Sequence, residues 1–233
     1  MSMPASGLLP LAPLAPLAPL DEAAEAEAQA LRDTLRRVGS AFEFVVCRVP
    51  EGVDEAGEAH HRAVLRLLCD DIVAQVEDYR RKTIARDSSL ADAFGSRLSF
   101  DVDAARATPF DASAVIAAER FAPLHRVSYQ RDPAQVSWFE WLCQAFGDPP
   151  YTLDVADEAE RASLFPRFCA CTGMLPGEGI AVHDWVGDPE REPGRSAWSP
   201  YFDDGKEWWG IWCLTVWNPR RRTLAAMMAS QTD

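Results

Sequence analysis

Lysine is almost missing from this chain: Lys82 and Lys206 are the only two among 233 residues, and the remaining basic side chains are arginine. With 36 Asp and Glu against 23 Lys and Arg, the formal net charge is −13 and the isoelectric point lies near 4.7. Proteins that bind nucleic acid draw affinity from Lys and Arg displacing counterions from phosphates, so this balance argues against that class. Arginine in place of lysine, with frequent alanine, fits a GC-rich coding sequence and leads us to expect a bacterial source. Also missing is any run of the roughly 18 to 20 apolar residues that a membrane span requires. No basic residue precedes Arg32, and Pro10, Pro13, Pro16 and Pro19 interrupt the Leu-rich start. Neither the basic nor the apolar region of a signal peptide is therefore formed, and a cytoplasmic protein without membrane attachment is expected.

The strong catalytic signatures are lacking as well. There is no G-x-S-x-G elbow, no G-x-G-x-x-G after a strand and no H-E-x-x-H. Gly187 and Gly194 are too far apart for a phosphate loop, and Arg195 stands where such a loop needs lysine. The chain is too long for a disulfide scaffold, so Cys47, Cys69, Cys143, Cys169, Cys171 and Cys213 are expected as reduced, packed thiols. No cofactor-binding pattern is present.

What is present is the composition of a globular protein, 48% hydrophobic and 25% charged. Residues 1–20 carry a Leu-Ala-Pro repeat that favours an extended polyproline rod and forbids regular helix or sheet, which makes them a flexible tail. Residues 21–233 are expected to form a single domain. Acids at its start, arginines at its end and Gly39 beyond predict a helix from Asp21. Alternation of Phe42, Phe44 and Val46 predicts a strand. From about Asp54 to Ile84, one helical stripe gathers Leu65, Leu68, Cys69, Ile72, Val76 and Tyr79. Residues 97–103 read as a strand, the stretch after Pro109 as a short helix capped by Asp111, and the residues around His125 as another strand. Residues 134–147 read as a helix ending on Gly147.

Beyond Pro149 and Pro150 the chain looks strand-like, with residues 163–174 and 179–187 preceding a tryptophan run. Five of the eight tryptophans, Trp198, Trp208, Trp209, Trp212 and Trp217, fall in the last forty residues. Both alternation faces of residues 206–218 are apolar, as in a central strand covered on both sides. A tight turn at Asn218-Pro219-Arg220-Arg221 would return a strand that sets Ala225 beside Leu214 and Met227 beside Trp212. The rival is a helix with Pro219 in its first position, which three arginines at a helix N-terminus oppose. Helices early and strands late predict an α+β fold, an antiparallel sheet mostly in the C-terminal half flanked by helices of the N-terminal half.

Three clusters carry candidate chemistry. Cys169 and Cys171 share a face if they lie on a strand, and with His183 would offer three metal ligands; without a second cysteine pair, packed thiols are the simpler reading. His60 and His61, among Glu55, Glu58 and Asp70, read as solvated helix surface. His183 and Asp184 precede a polar loop, with Glu207 further on, and are candidate acid and base groups. Trp185, Trp198, Tyr201, Trp208 and Trp209 with Asp203 and Asp204 form a candidate binding surface, since rings stack on apolar faces while carboxylates hold hydroxyls or cations. Cys213, inside an apolar strand, is core.

Three functions follow. The first is an acidic binding protein, an inhibitor of immunity type that neutralises a basic protein partner such as a toxin. The alternative is a hydrolase of sugars or other polar small molecules, using His183, Asp184 and the Asp203, Asp204 and Glu207 region. The last is a scaffold whose tryptophans are all core.

Overall fold

The computed structural model describes residues 16–121, 136–206 and 209–231. The expected strand around His125, together with Glu207 and Trp208, lies outside them.

Helix α1 (Glu22–Arg37) begins where Asp21 accepts a hydrogen bond from the Ala24 amide (3.0 Å) and ends beside Arg36 and Arg37. Acids at its positive pole and arginines at its negative pole both favour the helical state. Strand β1 (Glu43–Arg48) follows, with Phe44 and Val46 buried on one side. Helix α2 (Glu58–Arg86) buries Leu65, Leu68, Cys69 and Ile72 as expected, but Val76 and Tyr79 are exposed at 41% and 66%. Its 29 residues span about 43 Å, while the longest strands have 8 residues and span about 27 Å, so its far end runs past the sheet.

The expected strand at 97–103 does not form. Asp101 donates its amide to the Trp198 carbonyl (2.8 Å), and Arg62 bonds the carbonyls of Val102 and Ala105, so this stretch satisfies its backbone without a ladder. The strand comes later, as the three-residue edge strand β2 (Thr108–Phe110), where Pro109 is tolerated. Asp111 does cap a turn, through the Ser113 amide (2.9 Å), but two separate 3-10 turns stand where one helix was expected.

Helix α3 (Trp138–Gly147) starts on a reciprocal capping box between Ser137 and Glu140. Helix α4 (Glu158–Thr172) replaces the strand expected at 163–174. Leu164, Phe165, Phe168, Cys169 and Thr172 are buried at helical spacing, Asp157 caps the start, and Gly173 ends it in the left-handed conformation (φ 73°). Pro166 lies inside the helix, where proline is ordinarily disfavoured, and Phe168 to Cys171 form an unbroken apolar run that shows no period by itself.

Strands β3 (Ala181–Asp184), β4 (Ile211–Asn218) and β5 (Thr223–Ser230) complete an antiparallel five-stranded sheet in the order β1-β5-β4-β3-β2. The fold is α+β, as expected. One face carries α1, α3 and α4 over Phe44, Val182, Leu214, Val216, Ala225 and Met227. The other carries α2 and the 185–202 loop over Cys213, Trp217, Leu224, Ala226 and Met228. Residues 219–230 are a return strand, but its register is two residues away from expectation: Met227 lies opposite Leu214, and Ala229 opposite Trp212. The connection is longer than a two-residue turn because Arg222 adopts positive φ (53°) and Asn218 Oδ1 accepts from the Arg221 amide (3.0 Å). A shift of two preserves which face each side chain occupies, so the core survives it.

The Leu-Ala-Pro segment is engaged where it meets the domain: Ala18 forms an antiparallel bridge to Arg48, and Leu17 and Leu20 pack on the two cores. Among the described residues, no helix is long and apolar enough to cross a membrane.

Candidate functional site

Strand β3 divides the His183-Asp184 pair between the two faces of the sheet. Period-two alternation places Val182 and Asp184 on the α3 and α4 side, and His183 on the α2 side. The two side chains therefore do not converge on one substrate.

His183 meets His61 edge to face, with ring centroids 4.2 Å apart. This corrects the reading of His61 as helix surface: its residue is fully buried, and its Nδ1 lies 2.8 Å from Thr215 Oγ1. Trp185 Nε1 donates to the same hydroxyl (2.9 Å), so Thr215 Oγ1 bridges the Trp185 indole and the His61 ring. Burial, then the neighbouring His183 and His60, push the His61 pKa down to about 3. His183 is also lowered, chiefly by burial, against a weaker opposing pull from Glu58. Both rings are neutral at pH 7, and His61 is too deeply placed for a general base.

Asp184 is held as a structural anchor. Its carboxylate accepts from the amides of Val186 (3.0 Å) and Gly187 (2.9 Å) and faces Arg195 Nη1 at 3.4 Å. Burial raises its pKa, while those amides and Arg195 oppose the rise. Gly187 is required there: its φ is +68°, and an added Cβ would stand 2.7 Å from Glu192 Oε2 and 2.8 Å from Arg195 Nη1.

The cysteine-histidine metal set does not assemble. On α4, Cys169 and Cys171 are about 200° apart around the helix axis. Cys169 is sealed in the core, its thiol raised well above the ordinary range by burial, and His183 lies across the sheet. Among the described residues, no three His, Cys, Asp or Glu side chains are placed to hold a metal ion.

Among the described residues, the expected tryptophan platforms offer no face either. Trp185 is fully buried with Arg62 stacked on it at 5.0 Å. Trp198 is core, donating to the Trp185 carbonyl (3.1 Å), and Trp209 is core, donating to the Asp148 carbonyl (3.2 Å). Tyr201 is half-buried and packs against Phe100 and Phe202. Asp203 is exposed and paired with Lys206 (2.8 Å), and Asp204 is exposed in a short 3-10 turn.

A different aromatic group faces a cavity. Trp212 at the start of β4, Trp138 and Trp141 on α3, and Phe110 on β2 surround a space of about 340 Å³, with Asp184 and Asp188 in the same wall. Phe110 stacks on Trp138 (4.8 Å, 27°), which fixes one side of the box. All three indoles are half-buried, and Trp141 belongs to neither hydrophobic core. The Nε1 atoms of Trp138 and Trp212 are sealed from solvent and have no hydrogen-bond partner among the described residues, so these two rings present carbon surface to the cavity. Among the described lining residues there is no Lys, Arg or His. The buried stripe of α3 is Phe139, Leu142, Cys143, Ala145 and Phe146, so Trp138 and Trp141 lie beside it rather than on it.

No protein-family model, curated protein or solved structure significantly matches this chain.

Proposed function

We propose that the protein is an acidic binding protein that engages a basic protein partner, acting as an inhibitor that neutralises it. The observation that supports this reading is the wall between β3 and Arg195, where Asp184, Asp188, Glu190 and Glu192 stand against Arg191 and Arg195, an excess of acid beside an aromatic cavity. Complementary charge of this kind raises association rates and selects partners of opposite sign. Half-buried tryptophans beside it are the residue type that anchors interfaces. The hydrolase reading gains no support from the geometry, because His183 and Asp184 face opposite sides of the sheet and the Asp184 carboxylate is occupied by two amides and Arg195.

The test is co-purification of the tagged protein from its native cells at low and high salt. A basic protein recovered in equal amount, released by salt and lost on Asp188→Asn combined with Glu190→Gln, is the expected result. Recovery of no protein at either salt would overturn the reading.

A further inference from the structure

We infer that the cavity between α3 and β4 is a seat for a compact organic cation, an alkylated ammonium or guanidinium group. The inference rests on the reading above in that the protein binds its ligand rather than transforming it. Three features favour a cation. Trp138, Trp141 and Trp212 line the cavity with indole rings, whose π faces attract positive charge, and the sealed Nε1 atoms of two of them are not offered as donors to an anion. Asp184 and Asp188 lie in the lining, while no cationic side chain does so among the described residues. Size adds selectivity: about 340 Å³ is at the small end of ligand pockets, which run from about 300 to 1,000 Å³.

Arg195 is shared between Asp184 (3.4 Å) and Glu192 (2.9 Å), and Arg191 contacts Asp188 (3.3 Å). Among the described residues, one guanidinium between two carboxylates leaves the wall negative, and Glu190 adds to it. An anionic ligand would be repelled by this field. A neutral apolar molecule would gain the ring surface but nothing from the acids.

The same chemistry can come from a free small molecule or from an alkylated side chain of the basic partner. The test uses the full chain with choline, tetramethylammonium and the neutral choline isostere 3,3-dimethylbutanol, read by tryptophan fluorescence and by calorimetry. Choline and tetramethylammonium should bind at least about 5-fold more tightly than the isostere, as a partly desolvated cation on aromatic surface requires. Trp141→Ala, outside both cores, should weaken choline about 10-fold or more while the circular dichroism spectrum is unchanged, and Trp212→Phe should retain most of the binding. Equal affinity for choline and the isostere would overturn the cation seat, as would binding unaffected by Trp141→Ala, or no binding by any probe. If a basic protein co-purifies while no probe binds, the seat fails and the acidic-binding reading stands. If the cations bind and no protein co-purifies, the seat stands on a free small molecule and the protein-partner reading fails.

Discussion

Acidification should destabilise this protein through His61. In the unfolded chain the imidazole titrates near 6.5, whereas in the folded protein burial, with His183 and His60 beside it, lowers its pKa to about 3. A basic group lowered on folding binds more protons when unfolded, so stability is full above about pH 7 and is lost as pH falls toward the folded value. The cost of leaving His61 neutral is about 2 kcal/mol at pH 5 and about 3 kcal/mol at pH 4. Burial lowers His183 in the same direction. Asp184, raised by burial, acts with opposite sign, since its protonation relieves a penalty as pH falls. The contribution of His61 is therefore isolated as a difference. Urea unfolding followed by tryptophan fluorescence at pH 7, 6 and 5 should show the parent protein losing about 2 kcal/mol more than His61→Asn, which keeps an acceptor near Thr215 Oγ1 but cannot titrate. Parallel pH profiles for the two proteins would refute the assignment of His61 as a buried neutral base.

Three further outcomes follow from single contacts. Thr215→Val should cost about 2 kcal/mol or more in urea unfolding, because it strands both the Trp185 indole N–H and His61 Nδ1 in the core. Asn218→Ala should lower the thermal midpoint by the equivalent of about 1–3 kcal/mol, since its Nδ2 donates to the Gly173 carbonyl (2.8 Å) and to Glu178 (2.6 Å) and so ties the β4-β5 turn to the end of α4. Gly187→Ala should destabilise by about 1–3 kcal/mol through its positive φ, and displacement of Arg195 should also reduce choline binding in the same variant; unchanged binding and stability would show that the Asp184 anchor does not shape the cavity wall.

Much of the fold was readable along the chain because its signals are local. Asp21 and the charge order after it mark α1, the alternation of Phe42, Phe44 and Val46 marks β1, and the doubly apolar run from Ile211 marks a strand covered on both faces. The β5 strand shows how close two local signals can come. Ala225, Ala226, Met227, Met228 and Ala229 have helical preference, yet all are fully buried between β1 and β4, where small residues let the large side chains of β4 and α2 pack. In α4 the reverse holds: Pro166 and the unbroken apolar run Phe168 to Cys171 resemble a covered strand, yet the buried residues follow helical spacing through the whole segment.

The candidate site was much less legible, because it is made of residues far apart in the chain. The sequence by itself determined the acidity, the antiparallel α+β architecture and the abundance of tryptophan. Which tryptophans are core and which face a cavity was decided only by packing, since Trp185 and Trp198 are sealed by α2 and the loop beside it, while Trp138, Trp141 and Trp212 meet across α3 and β4. Likewise, adjacency of His183 and Asp184 in sequence suggested partnership, and the pleat of β3 sent one to a buried histidine pair and the other to a loop anchor. Local patterns fix the backbone's period, but the meeting of side chains depends on which elements stack on which face, and that is settled only when the sheet closes around its core.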